Sequence, residues 1–258
     1  MPSTNKINFY KYQALLNDYI LIEGKVDLSD EQIILMCSRR EGIGADGILM
    51  VDSDNSMEII NSDASIAMMC GNGLRCVIFH LLRKESISTG EHVDIPTRSG
   101  LRGGMVLEAT EKNAKVRGVL GQIVVGKTTT VNGRDFIFVN TGNPHCVHFT
   151  TENEDPLELC LNLGPVMEKS VEGGINVSFA RITPDGIELY VWERGAGFTM
   201  ACGTGAVATA YAASSISLIT TKAVDVIQKG GRARVSIDEV ATLEGLAHFV
   251  FEGSYHLQ

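Results

Sequence analysis

Along most of the chain, apolar and polar residues exchange places every one or two positions, the period of a half-buried strand. The run SMEIINSD, Ser56 to Asp63, is one such stretch. In GIELYVWE, Ile187, Leu189 and Val191 alternate with Glu188, Tyr190 and Trp192. Asn132-Gly133 stands between TTTV and RDFIFVN. That dipeptide takes positive φ at both positions at little cost, so it predicts a tight hairpin. TPDG, Thr183 to Gly186, turns NVSFARI back into IELYVWE in the same way. Closely spaced strands joined by tight turns favour antiparallel sheet.

At two places the period changes. After Cys70, apolar residues fall at Leu74, Val77, Ile78, Leu81 and Leu82, the single face of an amphipathic helix. AVATAYAASSISL, from Ala206, is rich in alanine and forms helix readily, and its small side chains suit close packing inside a curved sheet. Immediately before each helix stands Met-x-Cys-Gly-x-Gly, first with Cys70, Gly71 and Gly73, then with Cys202, Gly203 and Gly205. The two copies lie about half the 258-residue chain apart. Each half therefore reads as strands, cassette, central helix and more strands, an internal duplication with its boundary near EKNAKVRG, residues 111 to 118.

The composition is that of an ordinary globular chain, with 44% hydrophobic and 21% charged residues. A net charge of −9 argues against nucleic acid or an anionic membrane as partner. The start, MPSTNKINFYKYQ, carries no apolar core of a signal peptide, and no apolar run reaches membrane-span length. The expectation is a soluble, cytoplasmic protein. Six cysteines are too sparse for a disulfide scaffold, and no Cys-x-x-Cys suggests zinc or thioredoxin chemistry. Cys37, Cys76, Cys146 and Cys160 fit the role of small inert hydrophobes.

Cys70 and Cys202 fit it poorly. Glycines after a cysteine at a helix start leave backbone N–H groups uncovered, and with the helix dipole these make a site for a carboxylate. The same dipole raises the thiolate fraction of the cysteine. Inverting an amino-acid α-carbon without a cofactor needs a base on one face, an acid on the other, and stabilisation of the carbanion through its carboxylate. One thiolate, one thiol and two helix N-termini supply that set. A single cassette reads first as a helix start with a buried cysteine; its repetition at half-chain spacing favours function.

At these residues the chain resembles the diaminopimelate epimerase family. The resemblance runs through GIGADGILMV (Gly42 to Val51), NSDASIAMMCGNGLRC (Asn61 to Cys76), GNPHCV (Gly142 to Val147) and ERGAGFTMACGTGA (Glu193 to Ala206). It implies an α+β fold of two pseudo-symmetric domains, each a curved, mainly antiparallel sheet wrapped around a central helix. The first would hold residues 1–115 with a final strand at about 246–258, the second residues 116–245. The implied activity is interconversion of LL- and meso-diaminopimelate, with no cofactor, no metal, a small amino-acid substrate and a homodimeric assembly.

Position by position, the resemblance makes Cys70 and Cys202 the proton carriers, Cys70 serving the LL isomer and Cys202 the meso isomer. It gives the reacting carboxylate to the N–H groups of Gly71, Asn72, Gly203 and Thr204. Glu193 and His145 would stand near the reacting ammonium, and Asn17, Asn61, Asn143, Asn176 and Arg194 at the far end of the substrate. A guanidinium fork suits a distal carboxylate. Read without the family, Asn143 is a turn residue before proline, His145 a packed histidine, Glu193-Arg194 a surface charge pair and Asp46 a turn or capping residue. GIGAD lacks the Gly-Lys-Ser/Thr of a phosphate loop.

The chain also departs from the family pattern. Leu16 and Tyr19 replace the glycine and phenylalanine of Gly-Asn-Asp-Phe. Ala64 and Ile66 replace a glycine and a glutamate before the first cassette. Phe198 replaces a glutamate before the second, and Lys229 a proline. Other readings of the paired thiols are a racemase of another amino acid, a thiol redox sensor and a non-catalytic amino-acid-binding protein.

Overall fold

The computed structural model describes residues 6–257. Met1 to Asn5, the first part of the start read above, and Gln258, the end of the expected last strand, lie outside them. The chain divides into two compact units, Met1–Gly118 with Leu246–Gln258, and Val119–Gly245.

The first unit opens with an antiparallel pair, β1 (Lys6–Ala14) and β2 (Asn17–Glu23). Helix α1 (Asp30–Cys37) then crosses over to β3 (Gly47–Val51), which runs parallel to β2. Ser29 starts α1 with a capping box, exchanging hydrogen bonds with Gln32. The sheet continues through β4 (Met57–Asn61) and β5 (Ile66–Ala67) to the central helix α2 (Gly71–Arg83). Strands β6 (Val93–Thr97), β7 (Gly100–Ala109) and β8 (Asn113–Gly121) follow.

The second unit repeats this order. After β9 (Val124–Val131), β10 (Arg134–Asn140) and β11 (Pro144–Phe149) form the antiparallel pair. Helix α3 (Pro156–Lys169) crosses over to β12 (Asn176–Thr183), parallel to β11. Then come β13 (Gly186–Glu193), β14 (Gly197–Thr199), central helix α4 (Gly203–Ser215), β15 (Ala223–Gln228), β16 (Gly231–Ser236) and β17 (Ala241–His256). The start of β17 pairs with β16, Ser236 opposite Thr242. Its remainder pairs with β1 of the first unit, from Gln13 opposite His248 to Lys6 opposite His256.

Both tight turns form where the sequence places them. Asn132 (φ 51°) and Gly133 (φ 75°) close β9 onto β10 with Val131 opposite Arg134. Thr183 pairs with Gly186, where a side chain would meet the Asp225 carbonyl at 2.1 Å. The sheets are mainly antiparallel, yet each contains a parallel step made by the crossover helices α1 and α3, which strand periodicity alone does not reveal.

The one-faced α2 of the sequence reading is instead enclosed on every side. Residues Gly71 to Leu81 are all buried, including Arg75 and His80. Strands β1, β2, β3, β4 and β7 surround α2. Helix α4 is likewise buried from Gly203 to Ala213 except at Tyr211, among β9 to β13, β15 and β16. Alanines on α4 admit this approach, as Ala208 and Ala212 against Ile137, Val139 and Val147 show. Among the described residues no helix is long and apolar enough to cross a membrane.

Candidate active site

Each cysteine of the repeated cassette is the N-cap of its unit's central helix. Cys70 (φ −140°, ψ 114°) and Cys202 (φ −123°, ψ 113°) hold nearly the same extended conformation. Each sulfur accepts the N–H two residues into the helix after the first glycine, Gly73 for Cys70 and Gly205 for Cys202, both at 3.3 Å. Glycine leaves room at both positions: a Cβ on Gly73 would press on a Leu49 methyl at 2.9 Å, and one on Gly205 would crowd the Cys202 sulfur at 3.2 Å. Sulfur thus stands where a capping oxygen stands in an ordinary helix, in the positive field of the helix end.

In the first unit Cys70 is half-buried and Tyr19 Oη lies 2.8 Å from its sulfur. Tyr19 donates to Asn17 Oδ1, which also accepts from Asn72 Nδ2 at 3.3 Å. Asn17 Nδ2 donates to Asp46 Oδ2 at 2.6 Å, and Arg75 Nη2 to Asn72 Oδ1 at 2.6 Å. Asp46 is therefore more than the turn residue the sequence suggested. Its carboxylate also takes the Asp18 N–H and the Arg39 guanidinium, and so fixes the orientation of Asn17. Burial, then the nearby Asp18, pushes the Asp46 carboxyl up, whereas Arg39 and Lys11 overcome burial and hold Asp18 down at about 2. Asn61 stands apart from this set, exposed at the end of β4 with its amide on Ser65 Oγ.

In the second unit Cys202 is buried and its thiol donates to Glu193 Oε2 at 3.1 Å. Thr199 Oγ1 holds the other Glu193 oxygen at 2.5 Å. Burial first, and then the Glu193 carboxylate, push the Cys202 thiol well above its ordinary value. Thr204 Oγ1 bridges Cys202 Sγ at 3.4 Å and His145 Nε2 at 3.0 Å. His145 is completely buried, and burial with the Arg194 charge takes it down to about 3, a neutral imidazole. Asn176 links two further positions, donating to the Pro144 carbonyl at 2.9 Å and accepting the Arg194 N–H at 3.0 Å. Arg194 itself is exposed, its guanidinium on the Gly173 carbonyl. Asn143 occupies the β10–β11 turn, its carbonyl taking the Thr141 N–H.

Among the residues that sequence reasoning placed in the site, Cys202, Glu193, His145, Thr204, Asn176 and Arg194 come together in one unit and Cys70, Asn17, Gly71 and Asn72 in the other. Tyr19, Asp46, Thr199 and Gln228, whose Oε1 accepts the Cys202 N–H at 2.7 Å, were missed as site residues. Each acts across a long sequence separation or from the neighbouring strand of a pair, so even where the residue lies in a quoted motif, as Asp46 and Thr199 do, its partner is not visible in the sequence. The other four cysteines are buried thiols, pushed up by burial to about 11 at Cys37, about 12 at Cys146 and Cys160, and higher at Cys76. Among the described residues no cluster of three or more His, Cys, Asp or Glu is placed to hold a metal ion.

Three departures from the family pattern, Phe198, Lys229 and Ala64, have local accounts. Phe198 lies on β14 beside Thr199 but on the opposite face. Thr199 bonds Glu193, while Phe198 stacks on Tyr190 with centroids 6.5 Å apart. Lys229 Nζ stands 5.6 Å from the Phe198 ring, so these two departures contact each other as a cation–π pair. Ala64 holds φ 67° in the turn between β4 and β5, a strain of about 1 kcal/mol, with its methyl packed on the first unit's core.

The chain is similar to known proteins in sequence and in fold. A sequence model described as diaminopimelate epimerase matches residues 9–125 and 137–250. The chain is 34% identical to the diaminopimelate epimerase of Corynebacterium glutamicum (strain R), over 97% of this chain and 99% of that protein. It is 35% identical to that of Microcystis aeruginosa, with the same coverage. In fold it resembles a predicted epimerase from Pseudomonas aeruginosa, with TM-score 0.75, 14% identity, and 98% and 100% of the two chains covered. A hydroxyproline epimerase from Agrobacterium vitis superposes with TM-score 0.72 at 14% identity, covering 98% of this chain and 93% of that one.

Proposed function

The chain belongs to the diaminopimelate epimerase family, and on that footing we propose that it is an isomerase converting LL-diaminopimelate to the meso isomer with Cys70 and Cys202 as its two proton carriers. The observation that carries this reading is the repeated cap: two cysteines in the same backbone conformation, each with its sulfur on the N–H of a glycine in the first helical turn. The surroundings of the two sulfurs differ in a useful direction. Cys202, buried and donating to a carboxylate, is held as the acid. Cys70, facing a phenol and with the buried Arg75 cation on its own helix, suits the base.

In the LL-to-meso direction the Cys70 thiolate takes the α-proton and the Cys202 thiol delivers one to the carbanion. In reverse the roles exchange. N–H groups of Gly71, Asn72, Gly203 and Thr204 receive the α-carboxylate, where charge develops as the proton leaves. Neutral His145 and the Glu193 carboxylate suit an α-ammonium, His145 as an acceptor and Glu193 as a counter-charge. Asn17, Asn61, Asn143, Asn176 and Arg194 take the polar far end. Two thiols supply both proton carriers, so the proposal needs neither pyridoxal phosphate nor metal. Its thiols persist in a reducing cytoplasm.

The test is incubation of the reduced protein with LL-diaminopimelate in heavy water without added cofactor, following isomer and mass together. Deuterium at the α-carbon of newly formed meso isomer is the expected result. Uptake into a different amino acid, with none into diaminopimelate, would move the substrate, and no uptake by fully reduced protein would overturn the reading.

A further inference from the structure

Tyr19 has no part in the proton transfers assigned above, yet its hydroxyl lies against the Cys70 sulfur. It lies on β2, only 4% exposed, with Oη 2.8 Å from Cys70 Sγ and its O–H directed to Asn17 Oδ1. Burial and the adjacent cysteine push its phenol well above the ordinary value, so it keeps its proton throughout the working range. One proton thus serves two neighbours, and the state of Cys70 decides which neighbour needs it. A thiol has an S–H to give, and the phenol oxygen accepts it while the O–H points to Asn17. A thiolate has only lone pairs and calls for a donor.

Other polar and charged groups of the first unit are committed as follows. Gly73 N–H supplies one donor at 3.3 Å. Arg75 is completely buried with no carboxylate partner, but its Nη atoms are spent on the Gly71 carbonyl and Asn72 Oδ1, and its Nε has no acceptor. It offers charge and not a hydrogen bond to sulfur. Asp18 and Asp46, at the ends of β2 and its neighbouring loop, are tied to Lys11 of β1, to Arg39 and to Asn17. Cys76 on α2 is held as a thiol by burial. Strand β3 is apolar; of the charged groups on β4 and β7, Glu58 and Arg102 are engaged by Arg98 and by backbone carbonyls, and Glu108 is exposed.

We propose that Tyr19 is a positioning residue for Cys70, its hydroxyl turning from Asn17 Oδ1 to Cys70 Sγ each time the cysteine passes from thiol to thiolate. No bond within Tyr19 breaks. The proton that Cys70 gives up goes to the α-carbon or to solvent, and the phenol O–H only changes acceptor. The same turn releases Asn17 Oδ1, so the hold of Asn17 on the substrate alternates with the charge on sulfur. This inference rests on Cys70 being a proton carrier, and its test does not depend on turnover.

The variant is Tyr19→Phe, which fits the same space and is the residue the family pattern has there. In a Cys202→Ser background, thiolate absorbance in the ultraviolet follows Cys70, since the other four thiols ionise at about 11 or above. A hydrogen bond to a charged acceptor is stronger than one to a neutral acceptor, so its loss disfavours the thiolate. The Cys70 midpoint is expected to rise by about one pKa unit, tenfold less thiolate at a fixed pH below it. The infrared S–H band of Cys70 should also move toward that of a free thiol. With Cys202 restored, the acid limb of the rate profile should move upward in Tyr19→Phe by the same amount. An unchanged midpoint and an unchanged S–H band would overturn the proposal even if the enzyme epimerises diaminopimelate. A shifted midpoint in a protein with no epimerase activity would keep it and reject the reaction.

Discussion

Replacing Glu193 by glutamine removes a negative charge 3.1 Å from the Cys202 sulfur while keeping the size of the side chain. Two unit charges at that distance repel by about 5 kcal/mol at an effective dielectric near 20, equivalent to about four pKa units. Relaxation around the site reduces this, whereas the new amide N–H₂ can donate to a thiolate. A downward shift of at least about two units is therefore expected at Cys202. Burial, the larger cause of its raised value, is untouched, so the thiol does not fall to that of an exposed cysteine. The assay is ultraviolet titration of thiolate in a Cys70→Ser background, where the four structural thiols ionise at about 11 or above. In that background the Glu193→Gln curve should stand clearly to the acid side. With Cys70 restored, turnover should fall at alkaline pH as the acid is lost. Superimposable titration curves would refute the view that this carboxylate keeps Cys202 protonated.

Serine at either Cys70 or Cys202 should lower turnover by at least about 100-fold with the thermal transition unchanged; wild-type turnover in either variant would remove that thiol from the reaction. Histidines buried as neutral rings make the fold acid-sensitive. His145, at about 3, and His80, taken to about 4 by burial, bind protons more weakly folded than unfolded near 6.5. Their contribution is full above pH 6.5 and drains away as pH falls toward 4 and 3, about 2–3 kcal/mol each by pH 4.5. Urea midpoints should therefore be lower at pH 4.5 than at pH 7.5, with a smaller difference in His145→Gln; an equal difference in that variant contradicts the assignment. Phe198→Glu should cost about 1–2 kcal/mol through lost stacking and cation–π contact. It should leave the Cys202 titration in place, and a shift of more than about half a unit would mean that Phe198 acts on the thiol.

Much of this architecture was legible because local chemistry carried it. Asn132-Gly133 specifies its hairpin whatever surrounds it, and Cys-Gly-x-Gly marks a helix start in either half. The crossover helices were harder. IILMC looks like a buried strand until Ser29 and Gln32 are seen as a capping box, and Pro165 inside α3 disguises a helix that Asp155 and Pro156 begin. Around the thiols, Glu193 and His145 could be named because their positions follow a motif. Tyr19 could not, since its partner is 51 residues away and only the fold brings phenol and sulfur together. Phe198 looked like a lost carboxylate beside the thiol; strand alternation turns it away, a fact that belongs to the sheet and not to the residue type.

The pairing of β17 with β1 bears on how the protein is made. Lys6 to Gln13 find their partners at His248 to His256, about 240 residues later, with the whole second unit emerging in between. At ribosomal speeds that is a delay of roughly ten seconds to a minute. Throughout that interval one edge of β1 offers unpaired N–H and C=O groups to any passing strand. The second unit can complete its own pairing earlier, so the half that is synthesised first is the half that finishes folding last. Chaperone demand during synthesis, and aggregation when synthesis stalls, should accordingly concentrate on the β1 edge.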